Sequence, residues 1–146
     1  MQLPKLKFDV QYDFKIRRDK DKFFIYDVTR KSWLVLTHEE WVRQHWIHYY
    51  IFQEGYSASA IISEQKVELN GTTKRLDLLI TEKTEPKVII ECKAPHITLN
   101  EKTFEQIARY NSVIGAETIV LTNGLQHITA KWTENGYQFI PTVLKF

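Results

Sequence analysis

Asp77, Glu91 and Lys93 are the residues of this 146-residue chain whose types and spacing best suit chemistry. Asp77 lies in Arg75-Leu76-Asp77-Leu78-Leu79-Ile80, and the other two lie in Val88-Ile89-Ile90-Glu91-Cys92-Lys93. Both are short apolar runs that read as strands, and a buried strand has little reason to carry charge. Side chains alternate across a strand, so Ile89, Glu91 and Lys93 share one face while Val88, Ile90 and Cys92 share the other. Lys83-Thr84-Glu85-Pro86 makes an antiparallel hairpin the simplest connection, and a turn centred on Thr84 sets Asp77 across from Glu91. A second hairpin, turned by Asn70-Gly71, pairs Leu69 with Thr72 and by count sets Glu64 opposite Asp77. Glu64, Asp77 and Glu91 then form a row on three strands, with Ile62, Leu79 and Ile89 as an apolar row beneath it.

Like charges placed opposite one another destabilise a sheet, so the row calls for a cation. Carboxylate oxygens, with the backbone carbonyl of Cys92 between Glu91 and Lys93, are the ligands Mg²⁺ prefers, and Mn²⁺ can substitute. Magnesium there activates a water and polarises a phosphodiester oxygen. Lys93 then orients or deprotonates the water, or neutralises charge on phosphorus. Without metal, at least one of the three carboxyls is expected to have a raised pKa. Plainer readings stand beside this one: Lys93 as an edge-strand charge, Glu64 as a partner of Lys66 or Arg75, and Cys92 as a buried small hydrophobe.

Two helices must hold these strands. Thr37, with Glu40 three residues on, forms a capping box that opens a helix from 38 to about 53, stopped near Gly55. Trp41, Val42, His45, Trp46, Tyr49, Tyr50 and Phe52 give it an aromatic face suited to core or interface, while Glu39 and Glu40 complement its positive start. Thr98-Leu99-Asn100-Glu101 is a second capping box, opening a helix that Gly115 ends. Thr103, Gln106 and Tyr110 make a stripe along it, beside a face of Phe104, Ile107, Ala108 and Asn111. Strands are expected at 23–28, 32–36, 117–122, 126–132 and 137–140. Residues 1–21 read as an irregular extension whose charged run, 15–22, is a solvated loop. The element order gives an α/β fold, a mixed β-sheet flanked by helices, in a single domain spanning 1–146.

Hydrophobic content of 43% with 26% charged residues describes an ordinary soluble domain. The net charge of +2 requires any nucleic-acid-binding surface to be local. One cysteine excludes a disulfide framework and fits a reducing cytoplasm. No apolar run is long enough to span a membrane, and no signal-peptide core precedes the domain.

Asp77 followed by Glu91-Cys92-Lys93 on a hairpin between two helices resembles the PD-(D/E)xK nuclease superfamily. Residues 37–44, Lys74-Arg75-Leu76-Asp77, Ile90-Glu91-Cys92-Lys93-Ala94-Pro95, residues 106–111 and Leu121-Thr122-Asn123-Gly124 resemble, more narrowly, the N-terminal nuclease domain of Type I restriction enzyme restriction subunits. The resemblance covers roughly residues 22 to 140, with Leu76 where the nominal motif has proline. It implies a restriction-endonuclease-like core and a Mg²⁺-dependent DNA endonuclease. Asp77 and Glu91 would be metal ligands, Lys93 the catalytic lysine, and Gln106 and Tyr110 DNA contacts. It also makes Glu40 the candidate for a first-helix glutamate that joins the metal. No Walker Gly-Lys-Ser/Thr loop is present, so the expectation is a nuclease domain without a translocase, acting on DNA alone, as a homodimer or in a restriction complex. The alternative is a catalytically silent DNA-binding or scaffold protein of such a system.

Overall fold

A computed structural model describes residues 2–142; Met1 and residues 143–146, the two ends of the expected domain, lie outside the described residues. Its largest element is a six-stranded mixed sheet. The strands β4 (Ile61–Leu69), β5 (Thr72–Glu82), β6 (Glu85–Cys92), β7 (Thr118–Thr122), β8 (His127–Thr133) and β9 (Gly136–Ile140) neighbour one another in chain order. Only β6 and β7 run parallel, because helix α2 (Glu101–Ile114) carries the chain back between them. Helix α1 (His38–His48) precedes the sheet and continues into a wider π-turn over Tyr49–Gln53 before Gly55. A three-stranded antiparallel sheet comes first, from β1 (Ile16–Asp19), β2 (Lys22–Asp27) and β3 (Ser32–Val35). The fold is α/β with a mixed sheet.

Two tight turns set the strand registers. Asn70 and Gly71 both have positive φ, 51° and 78°, the type I′ geometry, and Leu69 pairs with Thr72 as expected. Lys83 and Thr84 make a second turn of this kind, with φ of 52° and 67°, tighter than the stretch to Pro86 that the sequence suggests. A bulge after Ile80 takes up the difference, so Leu79 faces Ile89 and Leu78 faces Ile90. By count, Asp77 therefore lies opposite both Glu64 and Glu91. The row of Ile62, Leu79 and Ile89 forms as expected.

The alternation of faces breaks at this row. Leu76 packs with Phe104 and Ile107 on the α2 side, yet Leu78, two residues on, packs with Val42 and Trp46 on the α1 side. A regular strand would keep them on one face. Glu64, at φ +57°, sits at the same level and drops out of the ladder. The sheet kinks where Glu64, Asp77 and Glu91 come level.

Several local expectations give way to stronger partners. The charged run 15–22 is not a loop: β1 pairs with β2, because Arg17 stacks on Phe24 and Trp33 and Arg18 on Phe23. The irregular stretch before it covers α1. Phe8 packs on Trp46 and Phe14 on Trp41 and His48, so the aromatic face of α1 is core (Phe52 excepted, still exposed). The stretch is anchored at Gly124, where Lys7 donates to the glycine carbonyl and a Cβ would meet Leu6 at 2.8 Å. The N-cap of α2 is Asn100, not Thr98: Asn100 accepts from the Thr103 amide, and asparagine caps at least as well as threonine.

Candidate active site

The kink creates the site. Beyond Leu78 and Ile90 the β5–β6 ladder opens, and the Cys92 amide, which would otherwise face Leu76, donates 2.7 Å to Asp77 Oδ2. Lys93, the next residue, donates its amide to Thr122 on β7 instead. Backbone N–H and C=O of one strand residue point to the same neighbour, so the Cys92 carbonyl lies on the Asp77 side. Its thiol is buried on the α1 side, with its pKa pushed up by that burial.

Asp77 and Glu91 share this opening. Glu91 is only 4% exposed. Burial first, and then a hydrogen bond and repulsion from Glu91, push Asp77 well above the usual carboxylate range, to about 9. The Cys92 amide opposes this without cancelling it. Asp77 is therefore the carboxyl that resists ionisation here. Lys74 Nζ lies 2.7 Å from Glu91 Oε2, and this contact raises its pKa against its own burial. Tyr110 on α2 also lies near Lys74. Asp77 opens into a cleft of about 600 Å³ between the small sheet and the start of α1.

The remaining acidic residues divide. Glu64 lines the cleft, but its carboxylate pairs with Arg30 at 3.0 Å and is half exposed, so the three-carboxylate row reduces to a pair. Glu40 donates its amide to Thr37 as a cap should, yet its carboxylate does not reach back to complete the box. Arg43 takes it, at 2.8 Å from Nε, and Gln44 joins at 3.1 Å. Arg43 in turn reaches Asp27, which is fully buried beneath it. Burial raises the Asp27 pKa, but hydrogen bonds from Thr29 and Arg30 and the Arg43 charge outweigh it and hold it at about 2. Glu39 is the first-helix glutamate that senses the pair: its pKa is raised by burial, lowered by Lys93 and raised by Glu91 and Glu40. The sequence marked Glu39 only as a helix-start charge and gave Lys74 no role. Spacing alone leaves both glutamates within reach of Arg43, at i+3 and i+4.

Among the described residues no three His, Cys, Asp or Glu side chains form a metal cage. A cation at the pair would take oxygens from Asp77, Glu91 and the Cys92 carbonyl, and water for the rest, the mixed shell typical of magnesium. Two buried carboxylates side by side are a donor set of hard oxygens that fits such an ion.

The family described as Type I restriction enzyme R protein N terminus has a model that matches residues 38–143. The chain belongs to that family. No curated protein gives a significant match. The family span holds α1, the large sheet and the whole carboxylate cluster, and leaves the small sheet outside it. Within that span, Leu121-Thr122-Asn123-Gly124 supports the site from behind. Asn123 donates to the Ile97 carbonyl at 2.8 Å and so pins the loop that follows Lys93.

The stripe on α2 splits in this family member. Gln106 is exposed, whereas Tyr110 is 6% exposed, among Phe104 and Ile107. Tyr110→Phe should therefore change folding little and act only through Lys74. If Gln106 contacts DNA, Gln106→Ala should weaken DNA binding or turnover several-fold while leaving Mn²⁺ affinity unchanged. Titration of metal and of DNA against the single variants separates the two, and a double alanine variant with wild-type turnover removes both from the reading.

Proposed function

We propose that this domain is a Mg²⁺-dependent DNA endonuclease of the PD-(D/E)xK type, with a restriction-endonuclease-like core, acting within a restriction complex or as a homodimer. The observation that carries the reading is the buried Asp77–Glu91 pair, two acids set side by side next to the Cys92 backbone at a break in the sheet. Structural carboxylates in sheets are normally paired with bases; Asp77 is paired with another acid, and the cleft leads to it. Asp77 and Glu91 would hold the ion, which would supply polarisation of a phosphodiester oxygen and acidification of a water. Lys93, just past the end of β6 and near Glu39, would orient a water or neutralise charge at phosphorus. Glu39 supports the cluster from the rim, and Glu40 fixes the helix start through Arg43. Nicking of supercoiled plasmid in Mg²⁺ or Mn²⁺, absent in EDTA, tests the reading directly.

One observation favours the second reading, a catalytically silent DNA-binding or scaffold protein. The Lys74 ammonium already occupies Glu91 Oε2, where a metal would compete with it. Metal binding decides between them, and it has a readout besides activity. Asp77 has a pKa of 3.8 when unperturbed and about 9 in the fold, so between these values the folded state holds a proton that the unfolded chain has lost. Stability must then be fullest at low pH and fall as pH rises through this window. Mn²⁺ displaces that proton, so the rise in Tm it causes should grow from pH 5 to pH 8, on the order of the few degrees that linkage at saturating ligand gives. Asp77→Asn should flatten both dependences. A Tm indifferent to Mn²⁺ throughout the range favours the silent reading.

A further inference from the structure

The cleft is a poor place for DNA to arrive. Glu39, Glu40, Glu64 and Asp77 line it, and its two arginines, Arg30 and Arg43, are already paired with acids. A polyanion must be held by charge elsewhere. The chain carries +2 overall, yet residues 15–31 contain seven Lys or Arg against three Asp, a local surplus of four. That surplus belongs to the small sheet, and its register sorts it by face. Arg17 pairs with Phe24 and Phe24 with Val35; Asp19 pairs with Lys22, and Tyr26 with Trp33. Partners across a sheet share a face, so Arg17, Lys22 and Trp33 lie together on the side opposite the buried Ile25 and Asp27. Lys15 joins them above Tyr26. Asp19 is the one acid in these rows.

This outer face leads into the cleft. Val35, half exposed and on the same face, lines the cleft mouth, as do Leu34 and Arg30. The rings beneath the cations are already covered. The Arg17 guanidinium lies 4.4 Å from the Trp33 centroid and 5.8 Å from that of Phe24, and the Lys15 ammonium 5.5 Å from that of Tyr26. Ring faces covered in this way offer little to a stacking base. They hold the cations in place with their charge outward, an arrangement suited to phosphates.

We propose that the outer face of the β1–β2–β3 sheet, centred on Arg17 and Lys22, binds the phosphate backbone of duplex DNA and delivers it to the Asp77 cleft. The proposal rests on the nuclease reading for its destination, though not for its chemistry. Binding through this face needs no metal and reads no sequence. It belongs to a part of the chain that precedes the family match.

The test is anisotropy of a short fluorescein-labelled duplex in EDTA across a salt series. Arg17→Gln/Lys22→Gln should weaken binding by roughly tenfold per lost contact near 0.1 M salt and reduce the slope of log K against log salt by about 2. Lys131→Gln, an exposed lysine on β8, should change neither. Lys20→Gln/Lys22→Gln should act in the same direction, and because Lys20 and Lys22 are exposed and take no part in the ring contacts, it covers the case in which loss of Arg17 unfolds the sheet. Wild-type affinity and slope in both double variants overturn the proposal, and so does tighter binding of single strands than of duplex. The two readings fail separately. Duplex binding that depends on Arg17 without any cleavage leaves the surface and removes the nuclease, whereas metal-dependent cleavage unaffected by both double variants leaves the nuclease and removes the surface.

Discussion

Lys93→Ala should lower Mg²⁺-dependent plasmid nicking by about a hundredfold or more, the usual loss when a positioned charge or proton-transfer group is removed from a reacting centre. Its melting temperature should change little, since the Lys93 side chain is only partly buried and its backbone bond to Thr122 is kept. Asp77→Ala and Glu91→Ala should abolish cleavage for a different reason, by removing metal affinity. Their metal-free stabilities should move apart. Asp77→Ala relieves a buried carboxyl pair but frees the Cys92 amide, so the two effects oppose. Glu91→Ala leaves Lys74 without its close partner and should destabilise. The measurements are nicking rates at saturating metal, Mn²⁺ affinity by calorimetry and urea denaturation in EDTA. Lys93→Ala cutting at the wild-type rate would falsify the assignment of the site. Loss of Mn²⁺ binding in Lys93→Ala would instead make this lysine a structural support of the metal.

What the sequence makes legible here is whatever a turn can dictate. Asn70-Gly71 permits one register, and that register carries Glu64 to the level of Asp77 over the length of β4. The β5–β6 register comes out the same through a compensation no pattern displays, a tighter turn offset by one bulge. The capping signals place the starts of both helices to within two residues, and Gly115 ends α2 in the left-handed conformation at φ 78°. Three things are hidden. The face switch between Leu76 and Leu78 comes level with Glu64, which adopts a positive φ that its type does not announce. The fate of each carboxylate depends on partners far away in the chain, such as Arg30 for Glu64 and Lys74 for Glu91. The irregular N-terminal segment becomes core because it supplies aromatic rings to a helix that has too many buried residues for one sheet to cover. None of these follows from periodicity, since the first is a local backbone conformation and the other two are contacts between segments that have no pattern in common.

Arg43→Leu should cost about 3–5 kcal/mol of folding free energy, the loss expected when one member of a buried charge network is deleted. Domains of this size have about 5–15 kcal/mol in all, so this variant stands near unfolding at ordinary temperature. The argument lies in what stays behind. Arg43 is 5% exposed and gives its Nε to Glu40, its Nη1 to Ser63 at 2.9 Å and its Nη2 to both Glu40 and Asp27. Leucine fills the volume but leaves two carboxylates facing each other with one Gln44 amide between them. Asp27 keeps Thr29 and Arg30, whereas Glu40 keeps only Gln44. Glu40→Leu in the Arg43→Leu background should therefore recover part of the loss, and Arg43→Lys should fall in between, because an ammonium cannot make the two-pronged contact. The pH dependence supplies an independent sign. Asp27 titrates at about 2 in the fold against 3.8 unperturbed, so its contribution is full above the unfolded value and is lost as pH falls through the folded one. Weakening the Arg43 contact should raise the pH at which acid unfolding sets in. Urea melts at neutral pH and acid titrations followed by tryptophan fluorescence read both effects. Glu40→Gln then separates the two roles considered for this glutamate: a stability loss with Mn²⁺ affinity intact makes it the anchor of α1, and a loss of Mn²⁺ affinity makes it a ligand.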